Sequence, residues 1–145
     1  MEWFDKTFNE LTTMELFKIY YLRCQVFNGE QESTYPDPDM QDLTAHHVFT
    51  MQGGQIAAYA RYFEINDGVT FGRVVTAPEY RGKGLGKQLI RKVLQQIQAT
   101  FPNKQITIHA QQYVERFYRE LGFKSVGDPF VEAERQHIKM IYKEK

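Results

Sequence analysis

Val74-Val75-Thr76-Ala77-Pro78, followed after two residues by Arg81-Gly82-Lys83-Gly84-Leu85-Gly86-Lys87, is the stretch on which the fold turns. Its β-branched start predicts a strand, and Pro78 ends it. Downstream, Leu85, Leu89, Val93 and Ile97 stand four apart, which predicts a helix running to about Thr100 and closed by Pro102. A glycine-rich turn between strand and helix exposes unpaired backbone N–H groups, and the helix dipole adds partial positive charge there. Glycine lets a phosphate approach that backbone without meeting a Cβ. Arg81, Lys83 and Lys87 surround the same turn with fixed charge, so the expected occupant is a pyrophosphate.

Spacing narrows the choice. A nucleotide P-loop sets four residues between its first glycine and a Gly-Lys-Ser/Thr end. Gly82 and Gly86 have three between them, and Gln88 stands where the magnesium-binding hydroxyl belongs. A dinucleotide fingerprint needs G-x-G-x-x-G after the first strand of a parallel βαβ unit. Here the run is G-x-G-x-G, after what reads as a third antiparallel strand. Neither pattern fits.

Upstream, residues 47–51 and 55–65 read as strands around Gly53-Gly54, a pair suited to the positive φ of a tight hairpin. Asn66-Asp67-Gly68 forms a second turn into a strand over 69–76, completing an antiparallel meander. Earlier still, Thr12 and Glu15 have capping-box spacing, and Leu16, Ile19, Tyr20, Val26 and Phe27 give a helical apolar stripe. Cys24, inside that helix, is expected to be a small buried thiol. Gly29, Pro36 and Pro38 break residues 28–45 into an ordered surface loop with room for one short helical turn.

Downstream, residues 105–110 alternate around Ile106 and Ile108 as a strand. Val114, Phe117, Tyr118 and Leu121 share one face of a short helix over 113–121, and Gly122 suits its left-handed cap. Strands over 124–127 and 137–142 complete an α+β order.

The chain has 145 residues, 42% of them hydrophobic, which suits a single domain over 1–145. One cysteine excludes a disulfide framework and a multi-thiolate zinc site. His46 and His47 are adjacent on a strand and point to opposite faces, so no shared metal is expected. No apolar run approaches the about 20 residues of a membrane helix, and MEWFDKTFNE lacks the plan of a signal peptide. The expectation is a cytoplasmic protein without a membrane partner.

Eighteen basic and eighteen acidic residues cancel, leaving no global field for nucleic acid. Their distribution is uneven. Arg73, Arg81, Lys83, Lys87, Arg91 and Lys92 against Glu79 make one segment +5, whereas Glu30, Glu32, Asp37, Asp39 and Asp42 make another −5. Charge runs are usually solvated faces, and two of opposite sign also suit two ligands.

Read as R-x-x-G-x-G, Arg81, Gly84 and Gly86 closely resemble the signature of the GNAT superfamily of N-acetyltransferases. Phe117-Tyr118-Arg119-Glu120-Leu121-Gly122-Phe123 looks like that superfamily's later F-Y-x-x-x-G-F motif. The motifs stand in order with a helix and a strand between them, so the resemblance covers nearly the whole chain. Leu22-Arg23-Cys24-Gln25-Val26-Phe27, Glu30-Gln31, the acidic segment from Tyr35 to Leu43, Gly72-Arg73-Val74, Ala110-Gln111 and His137-Ile138 look like the ElaA-type branch. Asn28-Gly29 and Met40 depart from that branch's usual residues.

The resemblance implies a GNAT-like mixed, mostly antiparallel sheet of about six to seven strands flanked by helices. That sheet would splay between the fourth and fifth strands, which end at Thr76 and Ala110. Acetyl-CoA would lie in the cleft without a metal, its pantetheine bonded along the backbone of Val74, Val75 and Thr76. Its pyrophosphate would sit on Arg81, Gly82, Lys83, Gly84, Leu85, Gly86 and Lys87. Tyr118 matches the general acid that protonates the departing thiolate. Acceptor-side candidates are Glu30, His47 and His137, with no base assigned.

The implied function is acetyl transfer from acetyl-CoA to a primary amine by direct attack. The acceptor would be a small-molecule amine or lysine-like group, the partners would include no nucleic acid, and the protein would be a monomer or homodimer. A non-catalytic acyl-CoA-binding module or sensor is the alternative. The −5 segment beside the acceptor side predicts a cationic acceptor.

Overall fold

The computed structural model describes residues 1–143. The chain runs β1 (Trp3–Thr7), α1 (Thr13–Arg23), β2 (His46–Gln52), β3 (Gln55–Ile65), β4 (Gly68–Thr76), α2 (Leu85–Thr100), β5 (Gln105–Gln111), α3 (Glu115–Glu120), β6 (Phe123–Glu132) and β7 (Arg135–Tyr142). Seven strands form one sheet in the order β1-β2-β3-β4-β5-β7-β6. Every pairing is antiparallel except β4 with β5.

Each face of the sheet carries a core. On one face α2 buries Leu89, Ile90, Val93 and Ile97 against Tyr62, Val69 and Phe71, and the same cluster takes in Ile108, Ile138, Met140 and Tyr118. On the other, α1 lays Ile19 and Leu22, with Val26 beyond it, over Phe49, Tyr59 and Val75. Thr12 caps α1 by accepting from the Glu15 amide at 3.0 Å, while Glu15 accepts from the Thr12 amide at 2.9 Å.

The junction of β4 and β5 positions the site. These strands pair only at Gly68 with Gln105 and Val69 with Ile106, and beyond that point they separate. A Cβ on Gly68 would stand 2.6 Å from the Gln105 carbonyl oxygen, so glycine is what allows the strands to meet at all. On its other edge β4 pairs with β3, with a register shift between Tyr59 and Arg61. Arg73, in the bulged stretch of β4, takes a left-handed φ of 51°.

Three expectations change. Strand β1 was not foreseen: all five residues are half-buried, so no clean alternation marks it. It is tied in by Asp5, which accepts from Tyr62 Oη at 2.5 Å and Gln96 Nε2 at 2.9 Å. The first helix widens to π geometry over Cys24–Glu30, which breaks the 3.6-residue count and turns Cys24 outward, exposed rather than buried. The last strands are longer than residues 124–127 and 137–142, because the register shift between Val126 and Phe130 absorbs Gly127 and Pro129 without ending β6.

Candidate active site

Gly82 and Gly84 both adopt φ 78°, a conformation that side chains resist, and a Cβ on either would meet nothing within 4 Å. Gly84 is the N-cap of α2 and supplies no side-chain cap, so the first amides of this 16-residue helix point into open space. Lys83 and Lys87 are exposed beside them. A Cβ on Gly86 would lie 3.7 Å from the Phe117 ring and 4.0 Å from Thr76 Oγ1, so the first turn of α2, the end of β4 and α3 converge. Val74 and Thr76 are half-buried and Val75 buried, on a stretch of β4 whose β5-side edge carries no ladder. An uncapped helix start over open glycines, with cations around it, fits the phosphates expected there.

Tyr118 stands on α3 among aromatic rings, with centroids 6.1 Å from Phe71, 5.1 Å from Phe117 and 5.5 Å from Phe123. Burial pushes its hydroxyl well above the ordinary tyrosine value, so it remains a protonated donor at neutral pH. Among the described residues the side-chain atoms sealed from solvent without a hydrogen bond are Arg61 Nε and Arg73 Nε, the latter 3.0 Å from Asp37 Oδ1 in an ion pair. Tyr118 Oη has no hydrogen-bond partner among them either, so it meets solvent through the ring's residual 6% exposure.

The acidic segment is the ordered surface loop expected, with a short helical turn at Met40–Leu43, and Glu30, Glu32 and Asp39 stay exposed. The reading of its charge run as a solvated face is corrected at Asp37 and Asp42, which are buried among arginines. Arg23 is fully buried, donates from Nε to Asp37 Oδ2 at 2.7 Å and grips Asp42 at 2.8 and 3.2 Å. Arg61 donates to Asp39 at 2.6 and 2.9 Å and to Asp42 at 2.8 Å. Arg73 donates to the Asp37 carbonyl at 2.9 Å and to Asp39 Oδ2 at 3.3 Å, so it serves this lattice rather than the glycine turn. Burial alone would raise Asp42, but the hydrogen bonds and charge of Arg23, with help from Arg61, hold it at about 2. Three aspartates and three arginines cancel, which removes the basis for drawing a cationic acceptor to Asp37 and Asp39. Arg61 on the apolar β3 and Arg23 within the α1 stripe were the available signals for such pairing.

The acceptor-side candidates separate. His47 is fully buried, with Nε2 donating to the Asp42 carbonyl at 2.9 Å and Nδ1 accepting from Tyr59 Oη at 2.6 Å, so neither nitrogen is free for an amine. Burial also pushes its imidazole below the ordinary value, against the pull of Asp42. Glu30 is exposed and holds Arg81 NH1 at 2.9 Å, while Arg81 Nε donates to the Thr76 carbonyl at 3.1 Å. That pair joins the loop after α1 to the glycine turn. His137 lies on β7 opposite Gln111 of β5, and its Nδ1 is 2.9 Å from the Arg135 carbonyl. Beside it, Gln111, Gln112, Tyr113, Glu134, Arg135 and Gln136 line an open groove of about 500 Å³.

Comparison with known proteins agrees with this geometry. A family model described as an acetyltransferase (GNAT) domain matches residues 19–144. Protein ElaA of Escherichia coli is 34% identical over 145 residues, which cover 97% of this chain and 95% of that protein. The crystal structure of E. coli ElaA superposes with a TM-score of 0.93 at 33% identity, over 99% of this chain and 100% of that one. An acyl-CoA N-acyltransferase from Pseudomonas aeruginosa, also a crystal structure, gives a TM-score of 0.93 at 32% identity, over 98% and 99% of the two chains. With the splayed sheet, the glycine-headed helix and these full-length matches in agreement, the chain belongs to the GNAT acetyltransferase family, on the branch of its ElaA relatives.

Proposed function

We propose that this protein is a cytoplasmic N-acetyltransferase that moves an acetyl group from acetyl-CoA to a primary amine by direct attack. The observation that carries this reading is the uncapped, glycine-opened start of α2, which meets the end of β4 at Thr76 and α3 at Phe117, the residue before Tyr118, beside the unpaired edge of β4. Gly82 to Lys87 would hold the pyrophosphate with backbone amides and lysine charge. The unpaired edge of β4 from Val74 to Thr76 would hold the pantetheine as an added strand. Acetyl-CoA, when bound, supplies the activated acetyl thioester.

Tyr118 is the proposed general acid. Its raised pKa suits the protonation of a thiolate leaving into a dry site and keeps the proton available until sulfur needs it. The acceptor is a small-molecule or lysine-like amine entering through the groove between the β5 end and the β6–β7 turn. Every residue in these roles comes from one chain, so a monomer or a homodimer serves equally.

Thiol release from acetyl-CoA, measured against a panel of primary amines, tests the reading. Wild type is expected to release thiol with at least one amine, and Tyr118→Phe to lower kcat by about 10²–10⁴ with acetyl-CoA affinity unchanged. Equal kcat in both forms, with chemistry rate-limiting, would assign the proton to water instead.

A further inference from the structure

We infer that His137 is the general base that takes the proton from the attacking amine, working from the opposite face of the sheet to Tyr118; this rests on the acetyltransfer reading above. The strand register carries the argument. Ile108 and Ala110 of β5 and Ile138 and Met140 of β7 share a core with Tyr118. Side chains alternate along a strand, so Gln111 and its partner His137 project from the other face, the one that α1 covers. Arg135, two residues before His137 on that same face, donates to the carbonyl of Gln31 in the loop after α1. Acid and base therefore stand on opposite sides of the layer in which β4 and β5 part, and the base lies one strand from the gap.

The ring is also set for the task. A carbonyl can only accept, so the 2.9 Å contact to Arg135 puts the neutral ring's proton on Nδ1 and the lone pair on Nε2. Phe130, paired with His137 across β6 and β7, stacks on the ring at 6.0 Å and 27° and fixes its plane. Among the described residues Nε2 has no hydrogen-bond partner and is not among the sealed atoms, so it meets solvent. The other three histidines are committed elsewhere: His47 to Tyr59 and Asp42, His46 to Asp5, and His109 to Glu132. On the face of His137 stand Arg135 and Lys139 of its own strand, His109 of β5 and Glu132 of β6, with Glu134 in the adjoining turn.

In the step itself, His137 Nε2 takes one proton from the neutral amine as that nitrogen bonds the acetyl carbon. The carbon–sulfur bond breaks with its electron pair on sulfur, and Tyr118 Oη gives sulfur its proton. His137 then returns its proton to solvent, and Tyr118 regains one. Amine and thioester become amide and thiol, with no other reactant.

Two measurements decide it. ¹⁵N NMR of the free wild-type protein should find the neutral His137 ring as the Nδ1–H tautomer; an Nε2–H tautomer overturns the proposal. In turnover, H137Q should lower kcat by about 10²–10⁴, lose the acid limb of the kcat/KM profile and bind acetyl-CoA as wild type does. An intact limb, or a rise in acceptor KM alone, overturns the base. Should H137Q fail to fold, the wild-type acid limb must coincide with the NMR midpoint of His137, and a limb that does not is equally fatal. Wild type that releases no thiol with any amine overturns the acetyltransfer reading and the base together, whereas turnover that survives in H137Q overturns the base alone.

Discussion

The chain carries two charged stretches of equal and opposite sum, and folding treats them differently. The basic one stays open: Lys83 and Lys87 remain exposed around glycines that leave room for a ligand. The acidic one is enclosed at its centre, where Asp37 and Asp42 are buried and held by Arg23, Arg61 and Arg73, while Glu30 and Glu32 stay exposed. The difference lies in where the counter-charges are anchored. Those arginines project from α1, β3 and β4, rigid elements that the acidic segment packs against, whereas the glycine turn meets one exposed carboxylate, Glu30, which takes Arg81 and leaves Lys83 and Lys87 exposed. A sum over a sequence window reports charge; only the packing partner decides whether that charge is available to a ligand.

The enclosed side should fail hardest when broken. Arg23→Ala leaves Asp37 and Asp42 buried without their main partner, and removing one member of a buried ion pair costs about 3–5 kcal/mol. Urea unfolding should read that loss, and a loss below about 1 kcal/mol, the range of surface pairs, would mean the lattice is solvated after all.

Acid should undo the same lattice progressively. Asp42 has a folded pKa of about 2, below its ordinary 3.8, so the folded form is favoured while the carboxylate is charged. Its contribution is fully present above about pH 4 and is lost as pH falls toward 2, an effect of about 2 kcal/mol. Asp39, also lowered by its hydrogen bond to Arg61, acts in the same direction. Unfolding midpoints between pH 5 and 2 should fall in wild type and fall less in Asp42→Asn, which starts lower.

Changes on the open side should touch binding rather than folding. Gly84→Asp brings a Cβ and a negative charge to a left-handed position over the expected phosphate seat. Calorimetry should record CoA binding weakened by about tenfold or more, each tenfold being about 1.4 kcal/mol. Unchanged affinity in a folded variant would move the pyrophosphate elsewhere. Glu30→Gln, which removes the exposed partner of Arg81, should alter stability by less than about 1 kcal/mol. A larger change would place that pair with the enclosed lattice.

Local patterns carried most of the fold in advance. The meander followed from Gly53-Gly54 and Asn66-Asp67-Gly68, α2 from its four-residue repeat, and the splay from the family resemblance. What escaped depends on distant partners. Strand β1 is half-buried throughout and is held by Tyr62 and Gln96, neither of which its five residues announce. Arg23 stands on the apolar stripe of α1, which hints at a buried partner, but nothing local says that the partners are Asp37 and Asp42. His47 and His137 were indistinguishable as candidates, because only the register shows that one has both nitrogens occupied and the other keeps one free.

The two residue pairs that join β4 to β5 have a mechanical meaning. Strands β1–β4 and β5–β7 behave as two plates stitched by a seam two pairs long, whereas every other seam in the sheet holds at least five. A plate bends most easily along its shortest stitch, so thermal motion should concentrate there as a rocking that opens and closes the gap. Gly68 sits at the pivot, its backbone pressed against Gln105 with no side chain between them. The compliance of that pivot, far from Tyr118 and His137, would then govern how readily a long, thin substrate threads in and its products slip out.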